Sequence, residues 1–229
     1  MIVSHKHKFI FLKTAKTAGT SCEMVLSSIC GPKDIITKIG KDEELQRKTD
    51  KKFRTAQNYY IPLTQYSKRD YLECAKKRNF LKFKNHDAAS KVKNKLPNNV
   101  WNSYYKFCFE RHPVDKTISY YRWCLKSKYF KGSFDDFIQS GIFSKIKGYN
   151  TYSINGLPVV DKIFKYEDIN TAFKYLSEKF QEDFKVDISN VKAKKIKISN
   201  NETIKISNSN LKKVELVFAR EIKLLQYKL

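Results

Sequence analysis

Glycine and proline are scarce, seven and five among 229 residues, which excludes collagen-like and low-complexity chains. Arginine is scarce beside lysine, seven against 39. Acidic residues are half as many as basic ones, 23 against 46, leaving a formal charge of +23. Cysteine is present in an odd number, at Cys22, Cys30, Cys74, Cys108 and Cys124, with no C-x-x-C pair, and no histidine stands at zinc-ligand spacing from any of them. That argues against a disulfide scaffold or a zinc framework, and fits reduced, mostly buried thiols in a cytoplasmic protein. No apolar run is long enough to cross a membrane, and the run at residues 9–12 is too short for a signal-peptide core.

Apolar content is ample. Hydrophobic residues make up 41% and aromatic residues 14%, so the chain can bury a sizeable core and is not disordered. Its length fits one large α/β domain over residues 1–229. Phe9, Ile10, Phe11 and Leu12 form a compact run that predicts a buried strand. A small-residue turn follows, and then Glu23, Met24, Val25, Leu26 and Ile29 carry helical spacing, with Thr20 and Ser21 ahead of Glu23 as a capping signal. Residues 31–84 lack clear periodicity and read as loops and short helices laid over the active-site end of a sheet. Asn85 or Asp87 could cap a helix running to Leu96. Residues 104–109 predict a second strand, Pro113 opens a helix with Ile118, Tyr121, Trp123 and Leu125 on its apolar face, and Ser133 caps a short helix. Residues 159–165 predict a third strand and 168–180 a helix. Residues 192–199 alternate like an edge strand, and Asn208 or Ser209 caps a last helix carrying Leu211, Val214, Phe218, Ile222 and Leu225. Strand–loop–helix units recurring in this way predict an α/β fold with a central parallel sheet flanked by helices. Ligands of such sheets sit beyond the carboxyl ends of the strands.

Two segments lie at such ends. The first reads Lys13-Thr14-Ala15-Lys16-Thr17-Ala18-Gly19-Thr20-Ser21. Small residues let backbone N–H groups approach an anion, the helix start adds about half a positive charge, Lys13 and Lys16 offer mobile charge, and Thr17, Thr20 and Ser21 offer hydroxyls. The triphosphate loop G-x-x-x-x-G-K-[ST] is not present, since Lys16 precedes the glycine. The second segment reads Glu110-Arg111-His112-Pro113, continuing to Ser119 and Tyr121. There Arg111 can grip a dianionic phosphate in a fork, and Ser119, two helical turns on, can add a hydroxyl.

Together the two segments resemble the carbohydrate sulfotransferases, the heparan 2-O-sulfotransferase-like superfamily. The first is similar to that family's 5′-phosphosulfate loop P-K-T-[AG]-[GS]-T-S, departing at Ala15. The second is similar to its R-[ND]-P-x-x-R-x-x-S-x-Y signature, with His112 and Lys116 as replacements. Residues 34–37, 57–59 and 160–169, with the aromatic–Glu pair Tyr166-Glu167, also look like bacterial members, as does Tyr227 near the end of the closing helix. The resemblance implies a three-layer P-loop-like sulfotransferase fold and 3′-phosphoadenosine 5′-phosphosulfate (PAPS) as co-substrate. It implies that Lys13, Lys16, Thr17, Ala18, Gly19, Thr20 and Ser21 hold the phosphosulfate, and that Arg111 and Ser119 hold the 3′-phosphate.

Sulfuryl transfer needs a base for the acceptor hydroxyl and a cation for the leaving phosphate. Lys16 is the natural cation. Among the histidines, whose pKa suits neutral pH, His86 is placed like the family's catalytic histidine, upstream of the 3′-phosphate signature. His112 competes, being adjacent to Arg111, but fills an Asn/Asp position of the signature; His5 and His7 lie at the wrong end of the first strand, and Glu23 is a weaker alternative base that could instead orient Lys16 or face solvent. No carboxylate magnesium site is evident, so no metal is expected. The expected acceptor is a hydroxyl, most naturally on a glycan, with lysine-rich stretches at 76–84 and 192–197 as attractors. Two other readings stay open: a nucleotide or small-molecule kinase, and a basic nucleic-acid-binding module, for which no recognition motif is evident.

Overall fold

The computed structural model describes residues 1–146, 148–184, 188, 204 and 206–229. In chain order the elements begin with strand β1 (Ile2–Ser4), strand β2 (Phe9–Phe11), helix α1 (Gly19–Ser27), strand β3 (Ile35–Ile36), helix α2 (Lys41–Thr49) and helix α3 (Lys68–Lys77). Next come helices α4 (Ala89–Lys95) and α5 (Asn98–Ser103), strand β4 (Tyr105–Glu110), and helices α6 (Pro113–Lys126), α7 (Phe134–Gln139) and α8 (Tyr149–Tyr152). The rest are β5 (Ser153–Ile154), β6 (Leu157–Pro158), β7 (Lys162–Lys165), α9 (Ile169–Phe180), α10 (Asn208–Val217) and α11 (Ala219–Leu225).

The main sheet has the order β3-β1-β2-β4-β7. β2, β4 and β7 are parallel neighbours, whereas β1 is antiparallel to both β2 and β3. The expected parallel sheet is therefore mostly parallel, with one reversed strand. That strand is one the polar first residues concealed: Ile2 and Val3 are buried, and the turn of His5 and His7 joins β1 to β2 as a hairpin. Residues 31–84 also differ from expectation, because Ile35 and Ile36 extend the sheet as β3.

The sheet is buried on both sides, which is why its strands read as unbroken apolar runs. Period-two alternation sends Phe9, Phe11, Phe107, Phe109 and Phe164 to one face, against α1 and α9. Val3, Ile10, Leu12 and Cys108 face the opposite layer, built from α4, α5 and Tyr152. A third cluster joins α6, α7 and α10 through Tyr121, Phe137, Val214 and Phe218. Trp123 and Leu125 do not join it and stay exposed.

Helix ends follow local chemistry in several places. Ser133 caps α7 through a reciprocal capping box with Asp136, and Pro113 opens α6. Ser207, one residue before the expected caps, accepts from the Asn210 N–H, and the closing helix breaks at Phe218 into α10 and α11. The helix expected to start at Asn85 or Asp87 starts at Ala89 instead. Asp87 is used by Lys84 N–H and Lys91, and Asn85 accepts from the Thr37 hydroxyl. The strand expected at 192–199 lies outside the described residues.

Phe107 sits at the middle of an aromatic stack, with ring centroids 5.4 Å from Phe11, 5.6 Å from Phe9 and 6.0 Å from Phe164. Phe107→Ala is expected to cost about 3–5 kcal/mol through lost burial and the cavity left behind, read as a lower midpoint in urea unfolding.

Candidate functional site

The register Phe11↔Phe107 makes β2 and β4 leave the sheet side by side. Leu12 N–H donates to the Phe107 carbonyl at 3.0 Å, and the Thr14 hydroxyl donates to the Phe109 carbonyl. The loop after β2 and the Arg111 segment after β4 therefore share one end of the sheet.

The loop is bent by two non-glycine residues in the left-handed region, Lys16 (φ 65°) and Ala18 (φ 51°). Such conformations are uncommon and are sustained by the surrounding structure. Left-handed residues within a loop are a feature of anion-binding nests. Helix α1 opens at Gly19 with Ala18 as its cap residue, and no side chain caps it; Thr20 and Ser21 lie within its first turn rather than ahead of it. An anion completes a helix end of this kind. Gly19 is required by contact, since a Cβ there would lie 2.8 Å from Lys13 Cγ and 2.9 Å from Lys13 Cε.

Several candidate residues do other work than expected. Lys13 is not a mobile cation. It runs buried beneath Gly19, pairs with the Glu23 carboxylate and reaches the Thr20 hydroxyl at 3.3 Å. Glu23 does not face solvent: it is fully buried and, besides Lys13, accepts from the Met1 ammonium and the Thr37 hydroxyl. Burial alone would raise its pKa, but Lys13, the Met1 ammonium and Arg47 outweigh burial and hold it at about 2. The Thr17 hydroxyl is turned inward to Thr14, 2.9 Å away. The half-buried Lys16 places its Nζ 5.8 Å from the Trp123 ring centroid. Trp123 lies one helical turn beyond Ser119 on α6, so both share a face. Arg111 lays its guanidinium 4.5 Å from the centroid of Tyr166, and its Nε is buried with no hydrogen-bond partner.

His86 stands at the root of the loop. Its Nδ1 donates to the Lys13 carbonyl at 2.8 Å, which fixes the tautomer and leaves Nε2 as the acceptor. Burial, with the nearby Lys13 charge, lowers its pKa to about 4. His86 borders a cavity of ≈ 770 Å³ whose wall also includes Asp87, Lys91, Tyr149, Arg220 and Glu221. The other histidines are committed elsewhere. His112 donates from Nε2 to the Lys228 carbonyl and lies edge-on to Tyr227. His5 bonds the Tyr104 hydroxyl, and His7 donates to the Ile29 carbonyl, at the far end of the sheet.

One group escaped sequence reasoning. Lys116, read as a basic replacement in the second segment, is fully buried and donates to Glu110 Oε2 at 2.7 Å. Burial pushes the Glu110 carboxyl up, Lys116 opposes that, and Glu221 adds to it. Gly148 closes over the pair, since a Cβ there would meet Lys116 Nζ at 2.8 Å and Glu221 Oε1 at 3.0 Å. The position of Glu110, directly after the apolar run Phe107-Cys108-Phe109, was the available signal. Among the described residues, no cluster of three or more His, Cys, Asp or Glu is placed to hold a metal ion. Nor is any helix among them long and apolar enough to cross a membrane.

Lys116→Met is expected to destabilise the fold by about 3–5 kcal/mol, because it strands a buried carboxylate. Adding Glu110→Gln should restore most of that loss, and paired urea melts of the single and double variants check it.

A family profile described as the Sulfotransferase family matches residues 1–228, which sets aside the kinase and nucleic-acid-binding readings. No curated protein and no solved structure matches the chain. With the profile spanning nearly every residue, and the two strand-end segments side by side, the chain belongs to the sulfotransferase family.

Proposed function

We propose that residues 1–229 act as one domain that moves a sulfuryl group from PAPS to an acceptor hydroxyl, with a glycan as the acceptor class. The supporting observation is the shared sheet end: an uncapped helix start with a bent, lysine-bearing loop beside a strand tip carrying Arg111, and a neutral histidine hydrogen-bonded to the root of that loop.

In this reading the loop N–H groups from Lys16 to Ser21 bind the phosphosulfate end of the donor. Lys13 contributes from below as a structural support, since it lies under Gly19 and is held there by Glu23. Arg111 and Ser119 bind the 3′-phosphate. The acceptor enters the cavity beside His86, where hydroxyl, amide and aromatic groups of Tyr149, Asn150 and Thr151 suit a polyhydroxylated ring. Nε2 of His86 takes the acceptor proton, the acceptor oxygen bonds to sulfur, and the bond from sulfur to the 5′-phosphate oxygen breaks. Lys16 neutralises the charge that gathers on that oxygen, leaving adenosine 3′,5′-bisphosphate and a sulfate ester. The exposed lysines of 76–84 can draw an anionic acceptor toward the surface. The four buried free thiols fit the cytoplasm as location.

His86→Ala should keep adenosine 3′,5′-bisphosphate binding and lose turnover by at least about 100-fold, the usual worth of a general base. Labelled PAPS with a glycan panel measures the second part, and calorimetry the first. Retained turnover would place the base elsewhere. Arg111→Ala should elute from immobilised adenosine 3′,5′-bisphosphate well ahead of the parent, its affinity lowered to that for adenosine 5′-monophosphate but still measurable.

The pH profile separates His86 from an ordinary histidine. Its folded pKa of about 4 lies below the usual value of 6.5, so it stays unprotonated through neutral pH. The acid limb of kcat/KM should fall near pH 4 and not near 6.5. Between those values the unfolded chain takes up the proton first, so His86 makes stability fall as pH drops from 6.5 to 4. Titration of kcat/KM beside thermal melts at the same pH values checks both.

A further inference from the structure

The sequence singles out the pair Tyr166-Glu167, to which the reaction as described gives no task. The structure places that pair at the tip of β7, directly beside the tip of β4. Glu110 pairs in register with Lys165, so Arg111 and Tyr166 are the next residues out on adjacent strands. The Arg111 guanidinium carbon stands 4.5 Å from the Tyr166 ring centroid, well inside the range of cation–π attraction.

We propose that Tyr166 is a positioning residue of the donor site: its ring seats the Arg111 guanidinium and so aims the fork that grips the donor's 3′-phosphate. The proposal rests on the donor assignment above and adds a residue to it.

The electrostatic logic comes from comparison with the neighbouring cations. Lys13 and Lys116 are both held by buried carboxylates, Glu23 and Glu110, and each carboxylate cancels the charge it positions. A phosphate-binding arginine held that way would have its fork occupied by a competitor. A ring face holds a guanidinium in one plane without neutralising it and without using its N–H groups. Arg111 is held in this way, and its Nε remains without a partner. Glu167, the nearby carboxylate, is committed to other donors. Its Oε1 accepts from the His112 N–H at 2.8 Å and its Oε2 from the Tyr227 hydroxyl at 3.2 Å. The first bond ties down the backbone that follows Arg111, and the two together occupy both oxygens of the acid. His112 is tied in addition to the Lys228 carbonyl at 2.8 Å, so the peptide after Arg111 is anchored while its side chain rests on an aromatic face.

The test uses two probes, adenosine 3′,5′-bisphosphate and adenosine 5′-monophosphate, with affinities read by calorimetry on the full chain. Tyr166→Leu should weaken the bisphosphate about 3–10-fold, the range of a cation–π contact, and leave the monophosphate unchanged. Tyr166→Phe, which keeps the ring face, should bind both as the parent does. In an Arg111→Ala background, Tyr166→Leu should add no further loss. Equal weakening of both nucleotides, full additivity with Arg111→Ala, or no weakening at all would overturn the proposal. Tyr166→Met, prepared alongside, guards against a folding defect. If both aliphatic variants fail to fold while Tyr166→Phe is intact, the ring is a packing element and the proposal is wrong. If instead Arg111→Ala leaves bisphosphate affinity intact, the donor assignment itself has failed.

Discussion

The parallel pairing of β2 with β4 is the constraint on which the site depends. It brings together two chain segments that lie almost a hundred residues apart, Thr14 and Phe109 being joined by a hydrogen bond. Nothing in either segment alone could hold a nucleotide with charge at both ends. A register slip of one residue would turn Phe107 and Phe109 to the opposite face, and the aromatic layer against α1 and α9 opposes that strongly. The core therefore does more than stabilise. Its alternation fixes which residues emerge at the tips, and so where Lys16 and Arg111 stand.

Beneath the loop, charge is arranged in tiers. Glu23 is buried among the Met1 ammonium, Lys13 and Thr37, and it holds Lys13 under Gly19. Lys16 lies above, against an indole face. The same scheme recurs at the second tip, where Glu110 holds Lys116 below and Arg111 lies against Tyr166. In both places a buried carboxylate positions an inner cation and an aromatic ring meets the outer one. Glu23 and Glu110 are thereby kept below the surface that an anionic donor would meet.

Much of this was legible in the residues. The apolar runs at 9–12 and 104–109, Pro113 and Ser133 marked elements that the structure bears out, because burial and capping act over a few neighbouring residues. That the loop after residue 12 and the segment after Glu110 stand at strand ends was legible for the same reason. What could not be read were features fixed by distant partners. Strand β1 was hidden because Ile2 and Val3 make only a short run among polar neighbours, and its place depends on pairing with β2 and β3. Lys13 and Glu23 are ten residues apart, and their ion pair forms because Gly19 lets the lysine pass beneath α1. Thr20 and Ser21 gave a sound capping signal, yet the loop bends at Ala18 and starts the helix earlier. The cavity beside His86 is closed by α10 and α11, from the opposite end of the chain.

The uneven exposure of the two tryptophans has a practical consequence. Trp101 is 5% exposed, within the apolar layer of α4 and α5, whereas Trp123 is 40% exposed and faces Lys16. The molecule thus carries its own optical label. A water-borne quencher such as iodide reaches one indole and is shut out from the other, so the quenchable, longer-wavelength part of the emission reports on the corner where Trp123 meets Lys16 and Tyr120.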